Sequence, residues 1–323
     1  MVVGHENQMS FLRSCLAKGN LAHAYLFVGP QGTGKHEAAT EILSSLMQKE
    51  IKWNKITEAG VLLIERGVDT KTGKTHKEIS IESIHKVGNY LNHSSFIEGK
   101  QVVIINEAEF LSKSAGNALL KTLEEPRSRQ ALLILISADE NKILGTIKSR
   151  CQIIRFFSVA TKKIYNDLIS KGAVPQLAEE ISRLSSNQPE RASELFEDSV
   201  FYNFYKTEAE RFLGTLNGSL KERWQKIEPV FKEKEDHIGA RDNLISILEI
   251  WLGFWRDSLL LKVGGSDNLI KNISYLEQIK TRSVGFSLEK IREIIKTIEK
   301  AIIMLRQNIH PRLILENLIL SYY

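Results

Sequence analysis

The pattern of apolar positions divides the chain into two unlike stretches. Up to about residue 157, short continuous apolar runs alternate with segments of helical period. Beyond it the runs stop and only the helical period remains. The runs lie at 24–28, 61–65, 102–105, 131–137 and 153–157. Strands that are apolar throughout are covered on both faces, so this pattern predicts a parallel sheet between helices, an α/β class. The intervening helices are predicted over 6–18, from about 35 to 49, over 79–91, over 114–125 and over 141–148. In the first, Phe11, Leu12, Cys15 and Leu16 share a face and Gly19 stops it; in the third, Ile81, Ile84, Val87 and Leu91 share one. Pro126 ends the fourth, and Ile143, Leu144 and Ile147 point the fifth inward. The polar stretch 69–75 reads as a turn.

The second stretch predicts two short helices within 162–186, around Gly172 and Pro175, and a third at Arg191. Longer helices follow at 201–214, 219–232, 240–262, 287–307 and 311–321. Residues 244–261 are apolar nearly all round, with Trp251 and Trp255 four apart. A helix of that kind is the buried spine of a helical domain or of an assembly interface. Element type and helix length change near 158 and near 200, which predicts segments 1–158, 159–200 and 201–323.

The first apolar run leads straight into Gly29-Pro30-Gln31-Gly32-Thr33-Gly34-Lys35-His36 and then into a helix-forming segment. Strand, glycine-rich loop and helix in that order make a phosphate cradle: backbone N–H groups turn inward and the helix adds its positive end. Gly29, Gly32, Thr33 and Gly34 would form the cradle, and Lys35 would reach the terminal phosphates. The motif normally closes on a Ser or Thr that ligates Mg²⁺, and here the residue is His36. The run at 102–105 should be followed by a metal-holding acid, and here the residue is Asn106. Glu107 stands where a water-polarising acid would, with Glu109 nearby. Two metal-handling positions have changed together, which argues against hydrolysis by this chain and leaves ATP binding open. Ser137 ends the fourth run as either a phosphate sensor or a small strand-ending residue. Arg150 and Arg191 are either solvated charges or phosphate contacts.

Composition changes this picture little. The 323 residues are 42% hydrophobic and 26% charged, as in an ordinary globular protein. A net charge of +5 permits contact with nucleic acid without arguing for it. The first residues show neither the basic nor the apolar part of a signal peptide, and no apolar run is long enough for a membrane span. Two cysteines, Cys15 and Cys151, make no disulfide framework, which suits a reducing cytoplasm. Residues 37–60 contain no cysteine, so no zinc module is expected there, and His23 and His85 read as structural. No nucleophile triad or paired-carboxylate site is evident.

Several stretches in register resemble the bacterial DNA polymerase III clamp-loader subunits of the AAA+ class. They are 21–27 leading into the loop, 99–105, 116–126, the Ser149-Arg150-Cys151 motif within 145–151, and the closing segment 308–320. The resemblance covers 4–157 well, and the middle of the C-terminal half only in helical character. It implies an AAA+ core, a small helical lid and an all-α collar that closes a pentamer. It also implies partners: gamma/tau motor subunits and delta in a hetero-pentamer, with the sliding clamp and primed DNA reached through the complex. His36 and Asn106 depart from the motor pattern and favour the branch that serves as a stator. In that branch the arginine corresponding to Arg150 serves a neighbour's ATP site in trans, and no cofactor is required. An active gamma/tau-type ATPase is the alternative.

Overall fold

The computed structural model describes residues 2–68, 76–93, 101–124, 131–216, 219–232, 237–306 and 311–320. The predicted turn at 69–75, the stop at Pro126 and the start of the closing segment, 308–310, lie outside the described residues. By its contacts the chain forms two compact units, Met1–Asp167 with Asn187–Arg191, and Leu168–Ser186 with Ala192–Tyr323.

The first unit is built on five parallel strands: β1 (Ala24–Val28), β2 (Leu62–Ile64), β3 (Gln101–Ile105), β4 (Ala131–Ser137) and β5 (Gln152–Arg155). Their order is β2-β3-β4-β1-β5. Ala24 pairs with Leu133 and Val28 with Ser137, while β3 runs along the other edge of β4 from Gln101–Ala131 to Ile105–Leu135. β1, β3 and β4 are buried along their whole length, which is why they read as unbroken apolar runs. Alternate side chains feed two separate cores. Tyr25, Phe27, Val102, Ile104, Leu132 and Ile134 pack under α1 (Glu6–Ala17) and α2 (Lys35–Met47). Leu26, Val28, Val103, Ile105, Leu133 and Leu135 pack under α3 (Ile81–His93), α4 (Lys113–Glu124) and α5 (Gly145–Lys148).

Three local expectations change. α1 buries Met9 and Leu12, whereas Phe11 is exposed, so its inner face is rotated from the one the spacing suggested. The segment predicted as one helix over 141–148 is a 3₁₀ turn, Glu140–Lys142, then extended backbone at Ile143 and Leu144, then α5. Ile143 and Ile147 still face inward, because the break re-aims them without moving them off the core. β5 stops at Arg155, and Phe157 is exposed.

Beyond the sheet come α6 (Thr161–Ser170), α7 (Pro175–Leu184) and α8 (Pro189–Glu197). They are followed by α9 (Ser199–Thr215), α10 (Leu220–Ile227), α11 (Pro229–Lys232), α12 (His237–Lys262), α13 (Leu276–Arg282), α14 (Leu288–Arg306) and α15 (Pro311–Leu320). Pro229 splits the single helix expected over 219–232, since it cannot donate an interior helix hydrogen bond. α13 is too short and polar to have stood out by period. The second unit closes around α12, where Leu244, Ile247, Leu248, Trp251, Phe254 and Trp255 are fully buried. The all-round apolar helix is therefore the spine of its own unit, and its tryptophans are covered within this chain. No described helix is long and apolar enough to cross a membrane.

Candidate functional site

The glycine-rich loop leaves β1 at the C-terminal edge of the sheet, flanked by β4 and β5. Gly29 has φ +150°, and a Cβ there would lie 2.1 Å from the Phe156 carbonyl oxygen. At Gly32, φ is +70° and a Cβ would press on Gln188 at 2.9 Å. Both positions need glycine, for backbone conformation and for close approach. Thr33 is buried: its Oγ1 donates to the Pro30 carbonyl at 2.8 Å, and its own carbonyl accepts from His5 Nε2 at 2.9 Å. Burial pushes the His5 pKa down, so His5 acts as a neutral donor.

Lys35 does not project from the loop. It is 4% exposed, and its Nζ donates to the Gly29 carbonyl at 2.7 Å and to the Pro30 carbonyl. Burial lowers its pKa against the opposing charges of Glu190, Glu109 and Glu37.

The position facing the loop is filled by Glu190, in the first turn of α8. Its Oε1 accepts from Gly34 N–H at 3.1 Å and from His36 N–H at 3.4 Å. Its Oε2 lies 3.5 Å from His36 Nδ1, and its own N–H donates to the Gly32 carbonyl at 3.3 Å. Burial alone would raise its pKa. Hydrogen bonds with His36 and Glu37 and the charges of His36 and Lys35 outweigh burial and hold the carboxyl well below the usual range.

His36 faces two acceptors. Nε2 donates to Asn106 Oδ1 at 3.1 Å, Nδ1 faces Glu190, and the ring lies 4.2 Å from that of Trp53. Burial lowers its pKa, but the hydrogen bond and charge of Glu190 and the hydrogen bond to Asn106 reverse this, and the net shift is upward. The ring is thus set to hold two protons. These residues do not fit Mg²⁺. That ion demands hard oxygen ligands in octahedral geometry, whereas here an imidazole and an amide are spent on each other. Among the described residues, no group of three or more His, Cys, Asp or Glu side chains could hold a metal ion.

Glu107, in the left-handed region at φ +54°, is clamped by Arg66. Nε donates to Oε2 at 2.8 Å and the terminal amine to Oε1 at 2.6 Å. The guanidinium stacks 3.9 Å above the Phe110 ring. Such a two-pronged pair holds the carboxylate in one orientation. Glu109 Oε1 accepts from Ala138 N–H at 3.1 Å. Ser137 is buried, donates to the Asp139 carbonyl at 3.1 Å and accepts from Asp139 N–H at 3.2 Å, so its hydroxyl closes a local turn.

Arg150 lies apart from this cluster, just after α5. It donates to the Thr146 carbonyl at 3.0 Å and to Ser149 Oγ at 3.3 Å, and pairs with Glu124. Its partners hold it at the surface, with the side chain about one third exposed (34%). Arg191 is exposed, while its neighbour Glu190 faces the loop. The structure thus brings Gly29, Gly32, Thr33, Gly34, Lys35, His36, Asn106 and Glu107 to one edge of the sheet. Sequence reasoning missed Glu190, Arg66 and Trp53. The only hint in the sequence was that Glu190 opens the helix whose next residue, Arg191, had drawn notice.

Residues 4–160 match the family described as DNA polymerase III, delta subunit. The chain is 27% identical to DNA polymerase III subunit delta′ of Bacillus subtilis, over 97% of this chain and 94% of that one. It is 24% identical to subunit tau of the same organism, over 98% of this chain but 59% of that longer protein. Among solved structures, a gamma subunit-related DNA polymerase III protein of Thermotoga maritima aligns over 98% of both chains, with TM-score 0.51 and 18% identity. That likeness bears out the fold: an α/β core on a parallel sheet, followed by a helical region.

Proposed function

We propose that this chain, which belongs to the clamp-loader family of DNA polymerase III subunits of the delta′/gamma/tau kind, is the non-hydrolysing delta′-type stator of its complex. The observation that carries this reading is the hydrogen bond between His36 and Asn106. In a hydrolysing phosphate loop these two positions hold Mg²⁺, which neutralises charge on the transferring phosphoryl group. Here they hold each other, and Arg66 engages the carboxylate of Glu107 that would orient water.

The chain then contributes through its partners, gamma/tau motor subunits and delta in a hetero-pentamer working in the cytoplasm, with the sliding clamp and primed DNA reached through that complex. In this reading the segment 159–200, with α6, α7 and α8, serves as the lid and the helical region 201–323 as the collar. Arg150 is the group supplied to a neighbour. Its guanidinium is anchored on one side by the Thr146 carbonyl and on the other by the exposed Glu124, a carboxylate that a phosphate can replace. An arginine delivered in this way stabilises charge on the transferred phosphoryl group.

The reconstituted complex tests this. Arg150→Ala is expected to assemble normally and to lower DNA-stimulated ATPase by tenfold or more, in line with the ~10³-fold or greater worth of such arginines. Unchanged turnover sinks the role. The gamma/tau-type ATPase reading has the retained Lys35 in its favour. It predicts Mg²⁺-dependent hydrolysis by the isolated chain, which the stator reading does not.

A further inference from the structure

An internal anion lies on the N–H groups of Gly34 and His36 at the end of the glycine-rich loop. We infer that Glu190 is a tethered stand-in for a phosphate group, which seals the loop against nucleoside polyphosphates until it is displaced. The inference deepens the non-hydrolysing reading at the same loop.

The geometry is that of an anion at the end of a phosphate loop. One carboxylate oxygen takes the N–H groups of Gly34 and His36, at the start of α2, where the helix concentrates partial positive charge. The other oxygen faces the imidazole of His36. Lys35, His36 and Glu37 on α2 surround it, with Glu109 acting on Lys35 from beyond β3. The carboxylate is mostly buried, its side chain 17% exposed, and its hydrogen bonds and the charges of His36 and Lys35 hold its pKa below the usual carboxylate range.

The tether is short and anchored. Glu190 N–H bonds to the Gly32 carbonyl, and Gln188 packs so closely on Gly32 that a Cβ there would not fit. An anion held on the same chain competes at a high effective concentration, so a free phosphate group must displace it. His36 supplies positive charge beside this carboxylate without a metal. The cradle freed of Glu190 should therefore accept a polyphosphate with no divalent cation, since the backbone N–H groups need none and the Lys35 amine can exchange the Gly29 and Pro30 carbonyls for a phosphate.

Calorimetric titration of the isolated full-length chain with inorganic pyrophosphate and with ATP, both in excess chelator, tests this. The wild type is expected to show no binding tighter than about millimolar, and Glu190→Gln at least about tenfold tighter binding. Glu190→Asp, which keeps the charge on a shorter arm, should fall between them. Lys35→Ala in the Glu190→Gln background should abolish the gain. Wild-type binding as tight as that of Glu190→Gln overturns the proposal, as does a folded Glu190→Gln chain that binds no better than wild type. If Glu190→Gln fails to fold, Glu190→Asp decides: no gain over wild type is a refutation. The ATPase test of Arg150 reads a neighbour's site, so either result can fail without the other.

Discussion

His36 Nε2 and Asn106 Oδ1 are hydrogen-bonded across 3.1 Å, although seventy residues separate them in the chain. The two departures from a metal-binding phosphate loop are therefore one structural change: each residue is the other's partner.

The His36 contact gives a pH signature. Its folded-state pKa lies above the ordinary 6.5, so the folded chain holds the proton more tightly than the unfolded chain. The stability it contributes is complete below about 6.5 and is lost as pH rises through the higher native value. Urea midpoints of wild type and His36→Gln, measured from about pH 5.5 to about 8.5, should converge as pH rises. A gap that stays constant or widens would contradict the imidazolium assignment.

Arg66 and Glu107 should be energetically coupled. Both are only partly exposed, 23% and 28%, and joined by two hydrogen bonds, so a double-mutant cycle of Arg66→Ala and Glu107→Ala should give about 0.5–1.5 kcal/mol. Coupling near zero would mean that solvent screens the pair as it does most surface ion pairs.

Gly29→Ala should be among the costliest substitutions in the loop. Its methyl group would meet the Phe156 backbone oxygen at 2.1 Å, and Phe156, just past β5, cannot move away without losing the bond of its N–H to the Val28 carbonyl. A loss of about 3 kcal/mol or more in denaturant unfolding is expected. A loss under about 1 kcal/mol would show that the loop can relax.

Trp251→Ala should destabilise the helical unit by about 3–5 kcal/mol, because the side chain is fully buried against Phe212 and within the α12 core. Far-UV dichroism with urea measures this. A near-neutral result would mean that the spine is not packed as described.

The phosphate loop, the strand sequence and the helical second half were legible because local pattern carries them. Unbroken apolar runs survive only where both faces of a strand are covered. Glycines at fixed spacing survive where backbone turns against backbone. The breaks were less legible: the extended step at Ile143–Leu144 and the division at Pro229 both lie inside segments whose apolar spacing stays helical. Periodicity reports which side chains face inward, and it is blind to a backbone break that preserves them.

The amino-acid sequence by itself determined the sheet, the loop and the departures from the motif at His36 and Asn106, since each is written in residue type at local spacing. Tertiary structure alone decided which side chains meet there. It brought Asn106 from the end of β3 onto His36, Glu190 from the first turn of α8 into the cradle, and Arg66 from beyond β2 onto Glu107. It also turned Lys35 back onto the loop's own carbonyls. Each of the first three contacts joins residues far apart in the chain through side-chain polar atoms, and no periodicity encodes such pairings. They form because partly buried polar and charged groups gain by pairing once the sheet has set the distances.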